Sequence, residues 1–300
     1  MSDHPQARPL RRALRFNATL SMLSALALLA FADALSPHLG DVPPLALRAV
    51  AAGLVPFVAF LVWQARVEPP RLRWAVFTIA SDLLWAVGSA TLLWLFSASV
   101  TAVGVAVVAG IAFGVALAAA LQWHGLTRFI HRPDPRFGTA HRFEVTVDAP
   151  VAREALWPVV ADLASIHEHS PGLASSNVES DAPLGVGAVR RCESRRGPGW
   201  AEEVTAFRPY HWIEMRFRDE DPGFPFPMAP MFGGWTLEAR GADRTRVTVW
   251  WAFTARPRWA APLIVAMMSA DLRREMREVV GSMAETTRAQ PHAWRSHAAE

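Results

Sequence analysis

Two adjacent carboxylates, Glu202 and Glu203, sit in an apolar run at 200–207. The alternation of that run predicts a strand. Strand neighbours point to opposite faces, so one of the two must face inward. A carboxyl held in a low-dielectric interior keeps its proton to higher pH and could act as a general base. The competing outcome is neutralisation across the sheet by Arg190, Arg191 or Arg216. His167-Glu168-His169 offers two imidazoles and a carboxylate. An H-x-H pair can chelate a metal on a strand, where alternate residues share a face. This one follows a helical stretch, in what reads as a solvated loop, and no third ligand accompanies it. No metal is expected. Cys192 is the only cysteine and Tyr210 the only tyrosine. The thiol reads as inert and half-buried. The phenol could orient a ligand or simply pack in a turn. There is no G-x-S-x-G elbow, no P-loop and no dinucleotide fingerprint in a strand–helix setting, so no cofactor is expected.

The other unusual carboxylate is Asp82, which lies in an apolar stretch. An ionisable group inside a membrane is costly and usually faces a partner or a wet cavity. Ser81, Trp85 and Ser89 lie on or near its helix face. Arg48 is a possible partner, but it falls toward the opposite membrane edge, which disfavours a direct pair. A packing hydrogen bond inside a helical bundle and a proton or ion pathway both remain open.

These two groups of residues belong to different halves of the chain. The net charge of the 300 residues is only +3, and all 30 basic side chains are Arg. So small a net charge gives no case for nucleic acid. Between residues 16 and 123 charge is nearly absent. A span needs about 20 apolar residues, and four stretches meet this: 16–35, 45–65, 74–96 and 98–123. Arg8, Arg11, Arg12 and Arg15 precede the first. Arg66, Arg71 and Arg73 separate the second and third, and Arg128, Arg132 and Arg136 follow the fourth. With four spans all three clusters fall on one side. The positive-inside rule then makes both termini cytoplasmic, in an integral inner or plasma membrane protein. The first stretch also has features of a signal peptide, with Ala30-Phe31-Ala32 as a cleavage-like triplet. Gly110-x-x-x-Gly114 in the fourth span would allow close helix packing. The N-terminal half is therefore expected to be an all-α transmembrane four-helix bundle.

The division expected is a tail at 1–15, the four spans at 16–123, a Pro- and charge-rich connection at 124–140, a soluble domain at 141–289 and a tail at 290–300. The soluble part opens with a strand at 141–147. A helical run at 151–165 follows, which Pro158 should break in two. Strand-like pieces come at 175–180, 187–194, 200–207, 211–218, 234–239 and 244–255. An amphipathic helix at 260–288 closes the domain. An antiparallel sheet curved around that helix would bury both apolar faces. Ile213, Met215 and Phe217, with His211, project to one side of their strand. Val249, Trp251 and Phe253, with Val247, do so on theirs. Trp235, Met268 and Met276 join them, and Met267 is a further candidate. Together they form either a filled core or the lining of a lipid-sized pocket. The run at 221–232 reads as a proline-broken loop carrying Phe224, Phe226, Met228, Met231 and Phe232. It would act as a lid, dip into the bilayer, or pack on its own sheet.

This succession resembles a known family. Ser170-Pro171-Gly172 follows the short helices. The run from Gly185 to Arg191 (GVGAVRR) leads into a strand. Glu202-Glu203-Val204 precedes Phe207-Arg208-Pro209, and a late strand reads RTRVTV from Arg244. The stretch 141–288 is similar to the START-related, polyketide cyclase/dehydrase-type superfamily (SRPBCC), with its helix-grip fold. The resemblance implies an α+β domain with an internal cavity for hydrophobic ligands, whose members include lipid carriers, aromatic cyclases and hormone-type receptors. The expected function is a membrane-anchored protein that binds a lipid or other hydrophobic small molecule, with the bilayer itself as a partner. A cyclase or hydratase using an inward Glu, and a regulatory module acting on the membrane half, are the alternatives.

Overall fold

The computed structural model describes residues 5–179 and 185–289. The tail expected at 290–300, and the last residue of the strand expected at 175–180, lie outside the described residues. The chain divides into two compact units, Met1–Ile130 and His131–Glu300.

The first unit contains α1 (Arg8–Leu35), α2 (Pro44–Arg66), α3 (Leu72–Leu95) and α4 (Ala102–Ile130). All four are long and apolar enough to cross a membrane. α1 begins well before residue 16, and α4 runs through 124–130, because backbone hydrogen bonding continues past the point where the side chains turn polar. α4 starts at Ala102 rather than 98, since Phe96–Val100 is spent on a turn in which Ser99 and Val100 donate to the Phe96 carbonyl. Arg11 donates to Glu68 in the α2–α3 connection at 2.7 Å. A Cβ at Gly125 of α4 would lie 2.6 Å from the Leu10 backbone. The Arg-bearing start of α1, the α2–α3 connection and the end of α4 therefore share one end of the unit. At the other end Thr101 N–H donates to the His38 carbonyl, and Arg48 pairs with Asp33 at 2.6 Å. Arg48 is thus no partner of Asp82. Close backbone approach occurs at Gly104 and Gly125. At Gly110 an added Cβ would meet nothing within 4 Å, and at Gly114 only a Leu20 side chain at 3.0 Å. The Gly110-x-x-x-Gly114 motif is not where the helices meet most closely.

The second unit contains β1 (His141–Ala149), α5 (Arg153–Ala161), α6 (Ile166–His169), β2 (Leu173–Val178), β3 (Val189–Ser194), β4 (Trp200–Arg208), β5 (Trp212–Phe217), β6 (Met228–Ala239), β7 (Thr245–Ala255) and α7 (Ala261–Ala289). The strands form one antiparallel sheet in the order β1-β7-β6-β5-β4-β3-β2. α7 packs against β1 and β7 and against α5 and α6. Pro158 lies inside α5 instead of breaking the run. The break comes at 162–165, where Asp162 turns the chain by accepting from the Ala164 N–H.

β6 begins at Met228, earlier than the expected 234–239, so Met228, Met231 and Phe232 are strand residues and not loop. Pro230 is tolerated because the register with β7 shifts between Met228 and Met231, at a bulge where its missing N–H costs no ladder bond. Gly233 and Gly234 leave room for rings on the two faces of β6. A Cβ at Gly233 would sit 3.0 Å from the Phe217 ring, and one at Gly234 2.7 Å from the Trp250 ring. Trp250 belongs to the outer face. There Phe137 stacks on Phe232 (4.4 Å between centroids) and on Trp250 (5.5 Å). Arg142 lies 4.5 Å over Trp250 and pairs with Asp134 at 2.7 Å.

Packing at Gly125 gives a direct check. Gly125→Val should overpack α4 against α1 and cost about 1–3 kcal/mol. Gly110→Val, facing open space, should leave the thermal midpoint of the detergent-solubilised chain nearly unchanged. Equal shifts for the two variants would contradict this assignment.

Candidate functional site

A cavity of about 360 Å³ lies between the inner face of the sheet and α7. The strands supply Met215, Phe217, Met228, Met231, Trp235, Val249 and Trp251, and α7 supplies Met268, Leu272, Met276 and Val279. The residues of α7 recur at helical spacing along one stripe, and those of each strand mostly alternate, so both periodicities converge on one space. Most of the expected lining is therefore brought together. Ile213 and Phe253 are not part of it. Both are fully buried in solid core, with Phe253 at 0% exposure. Met267 points away, 69% exposed, because its helical neighbour Met268 takes the inward position. Of the apolar run at 221–232, Phe226, Met228 and Met231 reach the cavity. Phe226 packs edge-on against Trp200 (5.1 Å) and Phe224 (5.3 Å), which closes one end with a cluster of rings. Phe232 faces the opposite side of the sheet, on Phe137.

Polar groups in the wall are few. Arg190 on β3 and Glu202 on β4 are directly opposite in register, so their side chains leave the sheet together. Arg190 Nη2 donates a short hydrogen bond to Glu202 Oε2. Trp200 Nε1–H donates to Glu202 Oε1 at 2.6 Å. Both carboxylate oxygens are thus engaged, and both side chains of the pair are less than a tenth exposed. Arg190 Nη2 also lies 3.7 Å from the Met215 sulfur, while its Nε–H is buried with no partner among the described residues. Burial alone would disfavour the guanidinium charge, but the Glu202 carboxylate holds the Arg190 pKa above its ordinary value. Glu203 lies on the other face and does not line the cavity.

The expected residues omit several that the cavity contains. Glu275, from α7, reaches it and accepts a hydrogen bond from the Ser170 hydroxyl at 3.0 Å. It stands seven residues after Met268, a spacing that places it on the methionine stripe. Cys192 and Ser194 follow Arg190 at strand period two. Burial pushes the Cys192 thiol up to about 11, with the Glu202 carboxylate adding to the shift.

His167 and His169 lie in α6, not in a solvated loop. His167 Nδ1 is 2.9 Å from the Ala164 carbonyl. His169 is buried with its Nδ1 2.9 Å from the Ser282 hydroxyl, and burial lowers its pKa. Among the described residues no group of three or more His, Cys, Asp or Glu is placed to hold a metal ion. Tyr210 packs against Trp157 (5.9 Å) in the turn after β4, away from the cavity.

The raised thiol pKa predicts slow alkylation. At pH 8 the native thiolate fraction should be about a hundredfold below that of an ordinary cysteine. Iodoacetamide should therefore modify Cys192 about a hundredfold more slowly in the native chain than in the urea-unfolded one, with the rate still rising above pH 9. Equal rates would show that the thiol is neither buried nor shifted.

Residues 140–288 match the family model described as polyketide cyclase/dehydrase and lipid transport. Among solved structures, the chain is similar to the ZhuI aromatase/cyclase from Streptomyces sp. R1128, at 16% identity and a TM-score of 0.39. That match covers 51% of this chain and 96% of that one. A norcoclaurine synthase from Thalictrum flavum matches at 13% identity and a TM-score of 0.40, covering 49% of this chain and 95% of that one. A START superfamily protein from Mycobacterium smegmatis gives 13% identity, a TM-score of 0.40, and coverage of 49% and 98%. No curated protein matches the chain. The stretch 140–288 is a domain of the polyketide cyclase/dehydrase (SRPBCC) superfamily, in a chain whose N-terminal half is four long apolar helices.

Proposed function

We propose that the C-terminal domain is a binding module for a mostly apolar molecule with one polar end, held at a membrane by the four helices. The observation that carries this reading is the cavity itself. It is large enough for a small amphiphile, and its walls are Met, Phe, Trp and Val. Methionine suits such a role because its flexible thioether adapts to different apolar shapes. The polar end of the ligand would lie near Arg190, Glu202, Ser194 and Glu275. Phe226, packed on the Trp200 ring that donates to Glu202, would close over that polar end, backed by Phe224.

The binding reading is favoured over catalysis by Glu202. A general base must be aimed at substrate, and each oxygen of Glu202 already accepts a hydrogen bond, one from Arg190 and one from Trp200, which hold the carboxylate back against the wall. The grouping of the Arg-bearing helix ends at one end of the helical unit supports a cytoplasmic position for both termini, by the positive-inside rule. A tethered domain would meet its ligand at a raised local concentration next to the bilayer.

Residues 131–289 close their own sheet and core, so they can be expressed alone. Native mass spectrometry of this domain, purified without detergent from lipid-rich cells, should show an added mass that organic extraction removes. Met268→Trp, which pushes a large ring into the cavity from α7, should abolish the added mass while leaving the circular dichroism unchanged. A clean unliganded mass for the unmodified domain would refute the binding reading.

A further inference from the structure

A second cavity, of about 390 Å³, lies within the helical unit. Leu54, Phe57 and Ile111 contribute apolar wall, Ser24 and Ser81 contribute hydroxyls, and Asp82 and Trp85 complete the polar side. Among the described residues Asp82 is the only charged one lining it, with no Arg or His beside it in the lining.

The carboxylate is buried at 3% exposure and held by neutral donors. Asn17 Nδ2 from α1 donates to Oδ2 at 2.7 Å, and Gln122 Nε2 from α4 donates to the same oxygen at 3.0 Å. Ser21 donates to Asn17 Oδ1 at 3.3 Å, which fixes the amide's orientation. Both bonds to Asp82 converge on Oδ2, and Oδ1 accepts none among the described residues. The cavity also has a way in. α2 and α3 meet near their connection, where Gln64 donates to Thr78 at 2.7 Å and Phe60 packs on Trp74 at 5.5 Å. Further along α2, Gly53 lines the cavity and has nothing within 4 Å of its missing Cβ, and Trp85 at the rim is 43% exposed.

We propose that this cavity binds a lipophilic cation, an amine with an apolar body taken from the bilayer. Its ammonium group donates to Oδ1 of Asp82 and rests against the Trp85 ring. Three properties of the site select that class. A lone carboxylate with no basic neighbour repels anions. An aromatic face attracts an organic cation most strongly where water is excluded. A bare metal ion would need several more oxygen ligands than one carboxylate and scattered hydroxyls provide. The site is separate from the cavity of the C-terminal domain, and neither reading depends on the other.

The test uses the full chain in nanodiscs of phosphatidylcholine, with empty nanodiscs subtracted. Equilibrium dialysis would compare phenylbutylamine, phenylbutanol and phenylbutyrate, which share one apolar body. The amine should bind saturably and the acid should not, with the alcohol weaker than the amine. Asp82→Asn should weaken amine binding by at least about tenfold, the loss of one charge-assisted hydrogen bond. Gly53→Leu extends a side chain into the open space without touching the Asp82 network, and should remove binding. If Asp82→Asn does not fold, the three-probe comparison and Gly53→Leu decide the matter. Equal retention of amine and acid, or unchanged binding in Gly53→Leu, overturns the proposal.

Discussion

Arg190 and Glu202 face one another across β3 and β4, and neither could be buried there without the other. An isolated charge in that position would carry a desolvation cost of several kcal/mol. The pair, with the Trp200 indole as a third member, lets the sheet present a polar point to an otherwise apolar space. The rest of the domain is arranged around that space. Gly233 and Gly234 thin the middle of β6 so that large rings fit on both faces. α7 lays a stripe of methionine and leucine opposite, with Glu275 set into it. Buried core at Ile213 and Phe253 lies beside the cavity.

The helical unit solves the same problem with different chemistry. Asp82 is also a buried carboxylate beside a cavity, but its partners are the neutral amides of Asn17 and Gln122. Neutral donors stabilise a carboxylate without cancelling its charge. Glu202 is neutralised by a guanidinium and is a fixed structural dipole. Asp82 has no cationic partner among the described residues lining its cavity. The contrast explains why we assign an amphiphile to one cavity and a cation to the other.

Much of this was legible in the residues, for identifiable reasons. The four apolar helices stand out because charge disappears from long stretches, while their ends do not, since helices continue into polar sequence. Alternation on β5 and β7 and the stripe on α7 pointed to Met215, Phe217, Val249, Trp251, Met268 and Met276, and these residues lie along the cavity. Alternation could not say where along a strand the core stops and the cavity begins, so Ile213 and Phe253 were expected in the lining. The proline-rich run at 221–232 read as a loop because proline counts against a strand. A bulge at Pro230 absorbs that penalty, and Phe232 consequently turns to the outer face. Asp82 drew notice as an ionisable residue in an apolar helix, but Asn17 and Gln122 did not. An uncharged amide in an apolar run shows its purpose only once three helices bring it to one point.

The central claim is that the space between sheet and α7 is a binding cavity. Methyl NMR of the isolated domain, with its methionines labelled and dodecanol added, tests this most directly. Met215, Met228, Met231, Met268 and Met276 line the cavity, while Met267 faces outward. The account predicts saturable shifts at the first five and none at Met267. Shifts confined to Met267, or none at all, would contradict it.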